Sequence, residues 1–244
     1  MLTVNRRPCF PPKSTVFFIV GTSVATIDHG RSRPVHHPVS ERKPACVVFD
    51  LGNVLVRWHP RNAFAPLFRN DPRDLDHFLD NICNMDWHNR LDAGLSFREG
   101  ITELSARFPD HADMIAAYDS RWKEMFNGEI RENVDLVRKL HTDGVPLFAL
   151  TNFPKEKYDD FRRAYGFMDS FRDVVVSGHE GVIKPDMQIY RILLERTGFP
   201  AEQTLFIDDR KENILAADAL GFQTHHFQSP KRLTEELLNQ GLLA

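Results

Sequence analysis

The sequence predicts an α/β fold: a doubly wound, Rossmann-like parallel sheet with a helical subdomain inserted after its first strand. Three observations carry that expectation. Ala45 to Phe49 is a short apolar run that stops at Asp50, Leu51 and Gly52, which reads as a strand covered on both faces and delivering a carboxylate into a turn. From Glu132 onward, short apolar runs alternate with amphipathic segments of helix length, as strands and helices do in a parallel sheet. Between these regions, Arg57 to Ile130 show helical signals and no strand-like alternation. This block of about 70 residues is too long for a plain strand-to-helix connection.

In chain order, residues 1–44 come first. They hold seven Arg or Lys against two acids, a local charge of +5, so the rest of the 244-residue chain carries −8. Arg6 and Arg7 precede the apolar run Val16 to Ile27. That run is too short to span a bilayer, is broken by Gly21, Thr22 and Ser23, and lacks a small-residue cleavage site. The leader is expected to be a disordered extension or an overextended start, and His36 and His37 within it to be solvated. An acidic body argues against broad nucleic-acid binding. Cys9, Cys46 and Cys83 show no metal-type spacing and are too few for a disulfide framework, so a reducing cytoplasm is the expected location. Cys46 falls inside the first strand and reads as a small core residue. The expected assembly is a monomer or homodimer.

The expected core comprises residues 45–56 and 131–244, with the helical block at 57–130. Within that block, helices are expected over 60–68, 72–83, 97–108 and 109–126. Pro60, Pro72 and Pro109 suit first turns, and Ser96 with Glu99 forms a capping box. In the core, a helix over 132–143 ends at Gly144. Strands follow at 145–150, 173–176, 204–207 and 222–227, separated by helices at 155–165, 187–197 and 211–220, and a last helix begins after Ser229 and Pro230.

Each core strand but the last ends in a polar group: Asp50, then Thr151 and Asn152, then Ser177 followed by Lys184, then Asp208 and Asp209. A lone Asp after one strand is most simply a turn cap. Four strands carrying such residues to one sheet edge make a shared site, because open α/β sheets place ligands outside their carboxyl ends. Asp50 and Asp208 offer hard oxygen ligands for Mg²⁺, completed by a main-chain carbonyl near Gly52 and by water. Lys184 balances charge and holds a phosphoryl oxygen, to which the Thr151 hydroxyl also donates.

FDLGNVLV at Asp50, LTN at Thr151, IKPD at Lys184 and FIDD at Asp208 and Asp209 resemble the four motifs of the haloacid dehalogenase superfamily, in order and approximate spacing across 45–244. The helical block resembles that superfamily's cap, which selects substrate. The resemblance implies that Asp50 is the nucleophile that becomes aspartyl-phosphate and that Thr151 and Lys184 orient the phosphoryl group. It also implies that Asp208, with Asp209 behind it, holds Mg²⁺. Asn152 next to Thr151, and His59 just after Asp50 where core meets helical block, are expected on the substrate side. The expected function is a Mg²⁺-dependent phosphohydrolase acting on a small phosphorylated metabolite such as a sugar phosphate.

One position departs from the pattern. Superfamily phosphatases place a second Asp two residues after the nucleophile as general acid and base; here that residue is Gly52. The loss of such a group typically costs about 10² to 10⁴ in rate. The substrate then has a good leaving group, or a cap residue, His59 or His88, supplies the acid. A metal-independent 2-haloacid dehalogenase is the rival reading, since a halide leaves unprotonated. Against it, an Asp208–Asp209 pair around an anion site needs a cation between the two carboxylates. A non-catalytic phospho-ligand binder is the third reading. Trp58, Arg61 and Arg98 are further candidate contacts, whereas Trp87 and Trp122 suit the cap core, and His225 and His226 are edge residues.

Overall fold

A computed structural model describes residues 43–69 and 71–244. The leader, apart from its last two residues, lies outside the described residues, and so do the readings of Cys9, His36 and His37. The chain enters at β1 (Cys46–Phe49) and turns through Gly52 and Asn53 into β2 (Val56–Trp58). Among the described residues five α-helices follow: α1 (Arg61–Phe64), α2 (Pro72–His77), α3 (Met85–Asp92), α4 (Phe97–Arg107) and α5 (Ala112–Ser120), with a π-helical segment over Phe78–Ile82 continuing α2. β3 (Phe126–Glu129) pairs antiparallel with β2 and closes the helical block. Next come α6 (Arg131–Thr142), β4 (Leu147–Thr151), α7 (Lys155–Ala164), β5 (Asp173–Val176), α8 (Ser177–Glu180) and α9 (Met187–Thr197). The chain ends with β6 (Thr204–Asp208), α10 (Lys211–Ala219), β7 (Gln223–His226) and α11 (Pro230–Asn239).

The main sheet has the order β5-β4-β1-β6-β7, and every pairing in it is parallel. β1 sits at its centre, with Val47 opposite Leu147 on one side and Leu205 on the other. Successive side chains of a strand point to opposite faces. Val47 and Phe49 accordingly pack into one apolar cluster, Cys46 and Val48 into a second on the other face, and all four are fully buried. Helices cover both faces, as the continuous apolar runs require. The Cys46 thiol reaches the Thr204 hydroxyl at 3.4 Å, in keeping with its reading as a core residue.

The helical block differs from the sequence expectation in instructive ways. The first expected helix stops at Phe64, because Pro66 removes an amide that a longer helix would use. The expected helix over 109–126 divides into short 3₁₀ turns around α5 and then becomes β3. Strands as short as β2 and β3 hold too few residues to show alternation. α3 falls between the expected helices; its N-cap Asn84 accepts from the Trp87 amide at 2.9 Å. Ser96 caps α4 by accepting from the Glu99 amide at 3.2 Å and donates its hydroxyl to the Glu99 carboxylate at 2.6 Å.

Aromatic rings fill the block's interior. Phe64 lies 5.2 Å from Phe78 and 5.7 Å from Tyr118, and Trp87 stands edge-on to Tyr118 at 4.9 Å. The Trp87 indole donates to the Gly100 carbonyl at 3.1 Å, which satisfies its one polar atom in the core. No helix among the described residues is long and apolar enough to cross a membrane.

Leu193 on α9 is almost wholly buried in the second cluster. Leu193→Ala is expected to cost about 2–5 kcal/mol through lost transfer energy and a residual cavity, read as a lower urea midpoint at unchanged m-value.

Candidate active site

The carboxyl edge of the parallel sheet gathers Asp50, Thr151, Asn152, Lys184 and Asp209 into one cavity of about 110 Å³, with Ser177 and Asp208 outside its lining. Asp50 follows β1 directly, and its amide donates to the Ile207 carbonyl at 2.8 Å, which ties the turn to β6. Leu51 accepts from both Leu55 and Val56, closing a tight turn in which Asn53 takes a positive φ of 55°. An asparagine tolerates that conformation better than most residues. The Asn53 side chain accepts from the Trp58 amide at 3.0 Å. Gly52 lines the cavity, and a Cβ added there would meet nothing within 4 Å. The glycine is therefore not required by lack of space.

Lys184 is the electrostatic centre. Its buried ammonium donates to Asp50 Oδ1 at 2.8 Å, Asp208 Oδ2 at 2.7 Å and the Leu150 carbonyl at 2.9 Å, using all three of its donors. The loop carrying it is fixed by Asn152, whose side chain donates to the Lys184 carbonyl at 3.0 Å and accepts from the Lys184 amide at 2.8 Å. Asn152 thus positions the lysine while also lining the cavity, the place expected of it. Thr151, the last residue of β4, is buried and lines the cavity beside Asp50.

Asp208 is fully buried and saturated: Asn213 donates to both its oxygens at 2.9 and 3.1 Å, the Arg210 amide reaches Oδ1 at 2.8 Å, and Lys184 holds Oδ2. Asp209, not Asp208, lines the cavity. β6 runs through Asp208, so Asp208 braces the lysine from the buried layer and Asp209 faces the opening, with oxygens of both still close to Asp50.

The charges do not balance within the protein alone. Asp50, Asp208 and Asp209 each present an oxygen within 4.8 Å of the others. Burial, with Asp208 and Asp209 nearby and only Lys184 opposing, pushes the Asp50 carboxyl up to about 7. Burial and the Asp208 charge also raise Asp209. For Lys184, burial works to lower the pKa, and Asp208 and Asp50 outweigh it and leave it raised. Three carboxylates around one ammonium form an oxygen-rich donor set that a hard divalent cation fits, since the cation supplies the missing positive charge.

The expected site residues do not all converge. His59 lies outside the cavity, at the start of α1, where its Nδ1 accepts from the Arg61 amide at 3.0 Å. Burial, then Arg61, lowers its pKa. Arg61 pairs with Asp76, and neither it nor Arg98 lines the cavity. His88 does line it, together with Asp92, Asn89 and Met85 of α3, none of them but His88 singled out in the sequence. Asn84 as an N-cap was the available signal for α3, but which face of that helix meets the core edge is settled only by packing. Ser177 donates to the Asp92 carbonyl at 2.6 Å and accepts from the Phe153 amide at 2.9 Å, so it stitches the end of α3 to the loop after β4.

Lys184→Met is expected to leave two buried carboxylates facing each other and to cost about 3–5 kcal/mol at pH 8. Because those carboxyls would then bind protons more tightly folded than unfolded, the loss should shrink as pH falls toward 5.5, a sign that urea melts at both pH values would read.

Comparison with known proteins places this geometry. The haloacid dehalogenase-like hydrolase family matches residues 44–221. A sesquiterpene phosphatase of Aspergillus oryzae is 26% identical over 180 residues, covering 73% of this chain and 87% of that protein. The structure of a predicted HAD-like family hydrolase from Porphyromonas gingivalis aligns with a TM-score of 0.63 at 25% identity, covering 80% of this chain and 98% of the other. An L-2-haloacid dehalogenase from Xanthobacter autotrophicus shares the fold at a TM-score of 0.53 and 16% identity, covering 82% and 85%. The chain belongs to the haloacid dehalogenase-like hydrolase family.

Proposed function

We propose that this hydrolase is a Mg²⁺-dependent phosphatase that cleaves a small phosphate monoester through an aspartyl-phosphate on Asp50. The observation that carries the reading is the excess of carboxylate over ammonium at the sheet edge: three carboxylates within 4.8 Å of one another and a single lysine among them. An anion site so constituted would repel a phosphoryl group unless a cation were shared between them. Asp50, Asp209 and the Gly52 carbonyl would hold Mg²⁺, with Asp208 behind them keeping Lys184 in place. Bound there, the ion would neutralise charge on the phosphoryl oxygens.

The chain's own residues do the rest. Asp50 presents a carboxylate oxygen to the phosphorus, Lys184 holds it in one orientation, and the Thr151 hydroxyl donates to a phosphoryl oxygen. Asn152 fixes the lysine, so its effect on rate is indirect. The organic half of the substrate meets Val56, Trp58, Met85, Trp122, Phe126 and Phe153. Those apolar and aromatic side chains suit a hydrophobic alcohol, a different organic half from the sugar expected from sequence, while Asn89, Asp92 and Arg210 of the same wall supply its polar contacts. The similarity to a sesquiterpene phosphatase supports the same direction.

Purified protein is expected to release phosphate from 4-nitrophenyl phosphate with Mg²⁺ and to stop when the metal is chelated, while Asp50→Asn falls to background. Halide release from a 2-haloacid without metal would overturn the assignment in favour of a dehalogenase. Because a proton competes for an Asp50 carboxyl raised to about 7, Mg²⁺ should stabilise the protein more at pH 8 than at pH 6, a difference that thermal melts with and without the ion would read.

A further inference from the structure

We propose that the Asp92–His88 pair on α3 carries out the proton transfer for which Gly52 has no side chain, with Asp92 Oδ1 as the atom that meets the leaving oxygen. The proposal rests on the phosphatase reading of the same cavity and goes beyond it by naming the acid and base.

The geometry sets this pair apart from every other protonatable group in the cavity wall. Asp92 is buried, and its Oδ2 lies 3.3 Å from His88 Nε2, while its Oδ1 is buried with no hydrogen-bond partner. A buried carboxylate oxygen without a partner is costly unless something else meets it. The indole nitrogen of Trp122, also in the cavity wall, is likewise buried and without a partner. Two residues of one cavity wall thus carry an unsatisfied acceptor and an unsatisfied donor, which match the needs of an ester oxygen or a water molecule that gains and loses a proton.

His88 is held so that it can serve Asp92. Its ring is stacked on Trp122 at 5.9 Å and tilted against Trp58 at 4.9 Å, and its Nδ1 lies 3.1 Å from the Tyr118 hydroxyl. Burial first, then Cys83 and Asp92, pushes the Tyr118 pKa well up, so that hydroxyl keeps its proton and donates to Nδ1. Nε2 then carries the imidazole proton toward Asp92. With both ring nitrogens engaged, His88 reaches the substrate only through Asp92. The remaining candidates are occupied: Lys184 uses all three donors, Asp50 is the nucleophile, and Asp209 is a metal ligand. The Ser177 bridge between the Asp92 carbonyl and the Phe153 amide fixes the end of α3 to the loop that follows Thr151.

The steps balance. As Asp50 attacks phosphorus, the bond from phosphorus to the ester oxygen breaks, and that oxygen takes the proton held by the Asp92–His88 pair and departs as the alcohol. In the second half, the pair takes a proton from water. The water oxygen bonds to phosphorus, the bond to Asp50 breaks, and inorganic phosphate leaves with the pair again protonated.

The test compares a poor and a good leaving group, butyl phosphate and 4-nitrophenyl phosphate, with Mg²⁺. Asp92→Asn should lower kcat/KM for the butyl ester by about 10² to 10⁴ and for the nitrophenyl ester far less, with a burst near one nitrophenol per site before slow turnover. An equal loss on both esters, or undiminished butyl phosphate hydrolysis, would overturn the assignment. Should that variant not fold, wild-type protein decides: kcat/KM across aryl phosphates should depend weakly on phenol pKa, and a steep dependence would overturn it. Wild-type protein that turns over neither ester would overturn the phosphatase reading as well.

Discussion

The Lys184 ammonium, buried between Asp50 and Asp208 and capped by the Leu150 carbonyl, is the interaction on which the site depends. It joins three of the five strands of the sheet at their carboxyl ends, because Asp50 follows β1, Leu150 belongs to β4 and Asp208 ends β6. Burying a charge in this way is tolerable only when every donor finds an acceptor. Asn152 and Asn213 then become necessary, one to aim the lysine and the other to fill the rest of Asp208. The two carboxamides are supports for a charge, and the charge is support for a nucleophile.

The parallel sheet and the residues at its strand ends were legible in the sequence because both follow from one-dimensional patterns. A continuous apolar run marks a strand covered on both faces, and the polar residue at its end must fall at the carboxyl edge. Asp50, Thr151, Lys184 and Asp209 reach the cavity by that logic. What the pattern cannot fix is which of two adjacent acids turns outward, since that depends on one residue of strand length. The resemblance puts Asp208 in front, and in the fold Asp208 is fully paired in the buried layer while Asp209 lines the cavity.

The helical block was legible as helical but not in its functional face. His59 stands closer to Asp50 in sequence than His88 does, and that proximity made it attractive; the chain direction through β2 carries it out of the cavity. Asp92 and Trp122 come from helical segments 30 residues apart in sequence and share a wall only after packing. β2 and β3 are also products of pairing between distant segments. Local propensity carries no trace of such a partner.

The β2–β3 ribbon has a consequence beyond closing the block. Both passages of the chain between the sheet and the helices run through these adjacent strands, and Trp58 and Phe126, opposite one another in the ribbon, are themselves cavity wall. Any rocking of the helices about this attachment would bend the wall at its base while leaving the carboxylates, set in the sheet, where they are. The sheet-borne carboxylates and the helix-borne wall therefore meet in one cavity across a two-stranded seam, so the position of the helices decides how Asp92 and the aromatic wall face Asp50.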